Sequence, residues 1–164
     1  VVNKIFVISD THFNHKTMIT EKWRDFETVR EMNEHIIYQW NNTVGADDYV
    51  FILGDLCIGG KTNTINEIMP RLRGKHVFIS GNHDKGLSII KVHSMVIKYN
   101  GIDIELIHDP KNASGKYKYV IHGHVHKHNR EFTKNPKLRY YNCNLEFHKY
   151  KPQLLSQAMG DMKR

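Results

Sequence analysis

The sequence predicts an α/β chain, a mixed β core covered by helices, on three observations. Short apolar runs of strand length recur at 5–8, 49–53, 77–79, 102–107 and 119–121. Stretches of helical period fall between and around them, and a two-residue turn signal introduces a hairpin into the alternation. Most of these runs lead into Asp, Asn or His, so polar groups collect where strands stop.

Taken in order, the first run is followed by a loop over 13–26, and residues 31–44 then form an amphipathic helix. Met32, Ile36, Trp40 and Thr43 or Val44 recur there at three- and four-residue spacing, giving one face that covers the sheet. A second helix is expected over 63–72, with Gly74 placed to end it before the next strand. Residues 92–99 and 102–107 flank Asn100-Gly101, a strong hairpin signal, and should pair antiparallel. The tail predicts a last short helix over 152–159, with Pro152 tolerated in its first turn.

At 164 residues, with 40% hydrophobic and 25% charged residues, the composition is that of a globular protein, and residues 1–164 read as a single domain. There is no internal repeat or low-complexity linker, and no apolar stretch approaches the roughly 18 residues of a membrane span. Two isolated cysteines, Cys57 and Cys143, and a first strand without a leader before it lead to the expectation of a cytoplasmic protein without a membrane partner. Oligomeric state leaves no mark in the sequence.

Charge is more informative. Lys and Arg number 24 against 17 Asp and Glu, a formal charge of +7, which favours an anionic substrate. Between Lys111 and Arg139 the basic residues are Lys111, Lys116, Lys118, Lys127, Arg130, Lys134, Lys137 and Arg139, with Glu131 the one acid. Tyr117, Tyr119, Phe132, Tyr140 and Tyr141 are interleaved there and offer a base-stacking surface. The alternation of Tyr117 and Tyr119 is also a strand pattern, which would pack at least one of them.

The segments that carry chemistry are Asp10-Thr11-His12, Gly54-Asp55, Gly81-Asn82-His83-Asp84, His108 and Gly123-His124-Val125-His126. Divalent first-row metals accept imidazole nitrogen and carboxylate oxygen, and a carboxylate can span two ions, a role for which Asp55 is suited. A phosphate ester is the expected substrate. Alone, Asp10 reads as a turn residue and His108, before Asp109-Pro110, as a solvated one; their place in the ordered set gives both a ligand reading. A metallo-β-lactamase-like site over 122–128 fails because the tract, with Lys127 among its histidines, has no Asp to complete that motif, and a histidine-rich tract leaves Asp10, Asp55 and Asn82 unexplained. The cysteines are too far apart for a zinc finger. His122 reads as structural or as a support behind the ligands.

This ordered set resembles the calcineurin-like metallophosphoesterases, from Asp10 to His126. The resemblance implies a four-layer α/β/β/α sandwich of two mixed sheets flanked by helices. It implies one ion on Asp10, His12, Asp55 and His126, and a second on Asp55, Asn82, His108 and His124. His83 is then an unligated catalytic group that assists the leaving oxygen, oriented by Asp84. Mn²⁺ is the expected ion, while Fe, Zn, Co and Ni suit the same donors. Metal-bound imidazoles must be neutral, so acid should release the ions.

The activity implied is hydrolysis of a phosphodiester, nucleotide-like or part of a nucleic acid, by a hydroxide between two ions. Phosphomonoesterase and protein phosphatase activities are alternatives within the family. A metal-holding scaffold is the alternative of another class, against which the retention of His83 and Asp84 argues. Substrate choice would rest on the loops 13–26, 57–64 and 109–118. Asn14, His15, Lys16 and Arg24 are the expected phosphate contacts in the first of them.

Overall fold

The computed structural model describes residues 3–127 and 134–163; His128, Arg130, Glu131 and Phe132 lie outside the described residues. Two four-stranded sheets make up the core. The first has the order β3-β2-β1-β8, from β1 (Ile5–Ile8), β2 (Tyr49–Leu53), β3 (Lys75–Ile79) and β8 (Gln153–Leu154). The second has the order β4-β5-β6-β7, from β4 (Ser94–Tyr99), β5 (Ile102–Ile107), β6 (Tyr119–His122) and β7 (Arg139–Asn142). Both are mixed: β1, β2 and β3 run parallel with β8 antiparallel, and β5, β6 and β7 run parallel with β4 antiparallel.

The alternation of strand side chains divides the core. Phe6, Ile8, Val50 and Ile52 face one way into a cluster with Met32, Ile36 and Trp40, whereas Val7, Phe51, Leu53 and Ile79 face the other, against Ile104, Leu106, Ile121 and Tyr141 of the second sheet. The outer face of the first sheet is covered by α2 (Val29–Asn41) and by the composite helical segment 61–71, labelled α3. Helix α4 (Leu155–Lys163) closes the inter-sheet core with Leu155, Ala158, Met159 and Met162. The fold is therefore the expected pair of mixed sheets flanked by helices. Over the outer face of the second sheet, among the described residues, the covering layer is reduced to the 3₁₀ turn Pro110–Asn112 and a small cluster of Ile107, Val120 and Leu138.

Element ends differ from expectation where local chemistry decides them. Helix α2 begins at Val29 rather than 31 because Thr28 caps it, its side chain accepting from the Glu31 amide at 3.1 Å. It stops at Asn41, and Trp40 Nε1 donates to the Arg73 carbonyl beyond α3. Helix α3 (preceded by the short α1, Thr17–Thr20) starts at Lys61 rather than 63 and changes pitch along its length. It is α over Lys61–Asn63, π over Thr64–Ile68 and 3₁₀ over Met69–Arg71, where Pro70 has no N–H to continue an α-helical ladder.

The hairpin forms as expected, with Asn100 and Gly101 both at positive φ, 48° and 77°, and Tyr99 opposite Ile102. Its first strand starts at Ser94, because Val92 instead bridges to Ile79 in the other sheet. Pro152 is not in a helical turn. Residues 153 and 154 first pair with β1 as a short edge strand, and α4 starts only at Leu155. Strand β7 was not anticipated; it sends Tyr141 into the inter-sheet core and Tyr140 to the outer face, while Tyr119 packs against the inter-sheet core. Those three tyrosines are packing groups and not a stacking surface.

Candidate metal centre

Parallel strands point their carboxyl ends to one edge of each sheet, and the polar segments emerge there. The loops after β1 and β2 run side by side: the Asp10 amide donates to the Gly54 carbonyl at 3.0 Å, His12 to Asp55 at 3.0 Å and Phe13 to Leu56 at 2.9 Å. Asp10, His12, Asp55 and His124 all adopt the left-handed backbone region, with φ of 56°, 49°, 54° and 67°. For residues other than glycine that conformation costs about 1–3 kcal/mol each, and the surrounding hydrogen bonds hold it. Two glycines permit the approach of these loops. A Cβ on Gly81 would collide with the Asp55 backbone and carboxylate, and one on Gly123 with Ser9 and Asp10.

The seven residues converge. In one cluster Asp10, His12 and His126 present ligand atoms all within 4.8 Å of one another, and in a second Asp55, His108 and His124 do so. Asp55 Oδ2 lies 3.3 Å from His108 Nε2 and 3.8 Å from His12 Nε2, so its carboxylate faces both clusters. Asn82 Oδ1 is 3.0 Å from both His108 Nε2 and His124 Nδ1. Among the described residues His12 Nε2 is buried without a hydrogen-bond partner, 3.9 Å from Asp10 Oδ1. An orphaned imidazole nitrogen between two carboxylates, among nitrogen and oxygen donors, fits a divalent first-row cation.

Electrostatics agree with a cation site. Burial opposes ionisation of Asp55, yet the adjacent His108 and His12 and the His83 amide hold its pKa down to about 2. His108 is also opposed by burial, but the Asp55 and Asp10 carboxylates push it up to about 9. Burial raises Asp10 and holds His12 well below its ordinary value.

A sequence model of the calcineurin-like phosphoesterases matches residues 3–142. The chain belongs to that family. This phosphoesterase is 42% identical over 159 residues to an uncharacterised protein of Methanocaldococcus jannaschii, covering 92% of this chain and 86% of the relative. It is 35% identical over 79 residues to the gene 66 protein of Mycobacterium phage L5, covering 46% and 37% of the two chains. Among solved structures it resembles a protein of unknown function from Aquifex aeolicus, with a TM-score of 0.79 at 25% identity, over 97% of this chain and 99% of that one.

Several expected roles in the phosphoesterase need correction. Asp84 does not orient His83: its Oδ2 accepts from the Asp55 and Gly81 amides, both at 2.8 Å, and its Oδ1 from the Leu56 amide at 2.9 Å. It ties two loops of candidate ligands together, while His83 extends its half-exposed side chain into the cleft, Nε2 3.9 Å from Asp55 Oδ2. Arg24 is not open to substrate. It is 2% exposed and its guanidinium is taken up by Glu146 and by the Asp10 and Thr11 carbonyls. Asn14 is occupied within the scaffold, accepting from Asn33 and donating to Thr64 and Asn63. His15 lines the cleft, with Nδ1 3.2 Å from His12 Nδ1; Lys16 is exposed at the start of α1.

Two residues at the phosphoesterase centre carried no sequence signal. Glu146, buried in the 3₁₀ turn after β7, places Oε1 3.0 Å from His126 Nδ1. Burial works against its charge, but His126 and Arg24 together hold its pKa below the ordinary value. Trp23, 38% exposed, lines the cleft with its ring centroid 5.4 Å from that of His126. His122 is buried, its Nδ1 2.8 Å from the Gly123 carbonyl, and burial brings its pKa down to about 4.

Proposed function

We propose that residues 1–164 act as a single phosphoesterase domain that cuts phosphodiesters, nucleotide-like or within nucleic acid. Two divalent ions, Mn²⁺ first among them, would be held by Asp10, His12, Asp55 and His126 and by Asp55, Asn82, His108 and His124. The observation that carries this reading is the pair of ligand clusters meeting at Asp55 beside an accessible His83. When bound, such ions lower the pKa of water and offset charge on a phosphoryl group.

His83 occupies no place in either cluster and faces the cleft, where its imidazole is positioned to give a proton to the departing ester oxygen. Asp84 acts at one remove by fixing Asp55 and the loop that carries Asn82 and His83. The diester preference rests on the surroundings. A cleft of about 230 Å³ on the Trp23 side and another of about 250 Å³, lined in part by Ser80, His93 and Asn112, share Asn82 and His124. A phosphate with two substituents finds room for one on each side. Lys111 and its basic neighbours favour the approach of an anion.

The test compares Mn²⁺-reconstituted protein on an aryl phosphodiester and the matching monoester, with His83→Ala as the control for contaminating activity. Faster diester cleavage that the variant lacks supports the reading. Monoester preference replaces it with a phosphatase, and binding of metal without cleavage of either ester moves it to a scaffold.

A further inference from the structure

We infer that the cleft on the His108 and His124 side of the metal centre is a polar subsite that receives a hydroxyl-bearing alcohol half of the phosphate ester, through His93, Ser80, Asn112 and Asp109. This assignment rests on the phosphoesterase reading and adds to it the chemistry of one substituent. His93 belongs to none of the motif segments, yet its exposed imidazole lines that cleft of about 250 Å³. Asn82 and His124 are shared with the cleft that contains His83, so the two clefts flank the phosphate position. Among the described lining residues the one aliphatic side chain, Ile107, is buried, which leaves a hydroxyl, an amide, an imidazole and a carboxylate for a ligand to meet.

These groups retain hydrogen-bonding capacity. Among the described residues the Ser80 hydroxyl reaches the Gly81 carbonyl at 3.4 Å and the Asn112 side-chain amide reaches Asp109 Oδ2 at 3.5 Å, both at the limit of a hydrogen bond. An alkyl substituent would strip water from them without replacing its hydrogen bonds, whereas alcohol hydroxyls both give and accept. The Asp109 carboxylate repels a second phosphate, so the favoured substituent is a neutral one such as glycerol or a sugar.

The backbone that carries these side chains is tied down. Val92 crosses to the first sheet, its amide donating to the Phe78 carbonyl at 3.1 Å and its carbonyl accepting from the Ser80 amide at 2.8 Å, which fixes His93 beside Ser80. Asp109 caps the turn that follows it: Oδ1 accepts from the Lys111 amide at 2.9 Å, and its carbonyl from the Asn112 amide at 3.0 Å. Further along that loop the buried Glu105 accepts from the Ser114 amide and hydroxyl, both at 3.0 Å. Little ordering therefore remains when an alcohol arrives.

Calorimetric titration of Mn²⁺-loaded protein with glycerol 3-phosphate, ribose 5-phosphate and n-propyl phosphate tests the subsite, because propyl phosphate keeps the carbon chain of glycerol phosphate and lacks its hydroxyls. At least one of the hydroxylated phosphates should bind tighter than propyl phosphate, and the tighter of the two identifies the alcohol. His93→Ala and Asn112→Ala, both at exposed positions, should each shrink that advantage by about 2- to 12-fold, the worth of one hydrogen bond. His93→Gln, which still gives and accepts, should retain most of it. Equal affinities of the three phosphates in the unaltered protein, or an advantage undiminished in both alanine variants, overturn the subsite and leave the phosphoesterase reading standing. Failure of all three phosphates to bind the loaded protein removes both.

Discussion

Glu146 Oε1 stands 3.0 Å from His126 Nδ1 and 3.1 Å from Arg24 Nε, so one carboxylate oxygen serves both a candidate metal ligand and the buried arginine behind it. A carboxylate at the far nitrogen of a ligating imidazole fixes the tautomer and raises the basicity of the other nitrogen. Glu146→Gln should therefore weaken metal at the Asp10, His12 and His126 cluster by about 10- to 100-fold, read by isothermal titration. Unchanged affinity there would remove the coupling. Glu146→Ala should in addition cost about 3–5 kcal/mol of stability, because the Arg24 guanidinium is left buried without its ion partner.

Asp84 offers a sharper contrast. With both oxygens accepting from backbone amides, Asp84→Asn must leave at least one buried N–H without its acceptor, and should lower unfolding stability by about 1–3 kcal/mol. Urea denaturation checks this. A variant of full stability whose only defect is turnover would return Asp84 to a role in orienting His83.

His83→Ala should keep both metals and the fold while turnover falls by about two to four orders of magnitude, the scale of an acid–base group. Asp55→Asn should instead reduce occupancy at both clusters. Metal analysis of the two purified variants beside steady-state kinetics separates these outcomes, and retention of both ions by Asp55→Asn would defeat the bridging assignment.

In metal-free protein His108 is pushed up to about 9 from an ordinary value of 6.5, with burial opposing and Asp55 and Asp10 prevailing. A raised folded-state pKa means that its contribution to stability is complete below about 6.5 and disappears as pH rises through about 9. The thermal midpoint of the metal-free protein should accordingly include a component that declines across that window and is absent in His108→Gln. Metal must displace the same proton, so binding should tighten as pH rises towards 9 and release protons at pH 7.5. Calorimetry in buffers of differing ionisation heat measures this directly, and a heat independent of buffer contradicts it.

The seven candidate ligands were legible in the sequence because metal chemistry restricts residue type and parallel strands deliver their ends to one edge. Met32, Ile36 and Trp40 likewise announced α2 through their period, and Asn100-Gly101 announced the hairpin. Arg24 was misread because a cation near an anion site looks the same in sequence whether it faces substrate or is enclosed by carbonyls. Its partner Glu146 lies 122 positions away, a distance over which no local pattern operates. Asp84 was misread for a related reason: its acceptors serve backbone amides, which any residue supplies. Trp23 follows no motif, and only the loop closed by Arg24 and Met18 brings it to the cleft.

Each ligand cluster draws on both sheets. His126 comes from the second sheet to meet Asp10 and His12 of the first, and Asp55 of the first meets His108 and His124 of the second. Cations seated there would act as rivets across the seam between the two halves, adding to its apolar packing and to the hydrogen bonds that already cross it, among them the Ser9 amide to the Cys143 carbonyl and the His124 amide to Asp10. Chelation should loosen that seam before either half melts, with amide exchange accelerating first in the loops flanking Asp10 and His124, far ahead of the hairpin around Asn100.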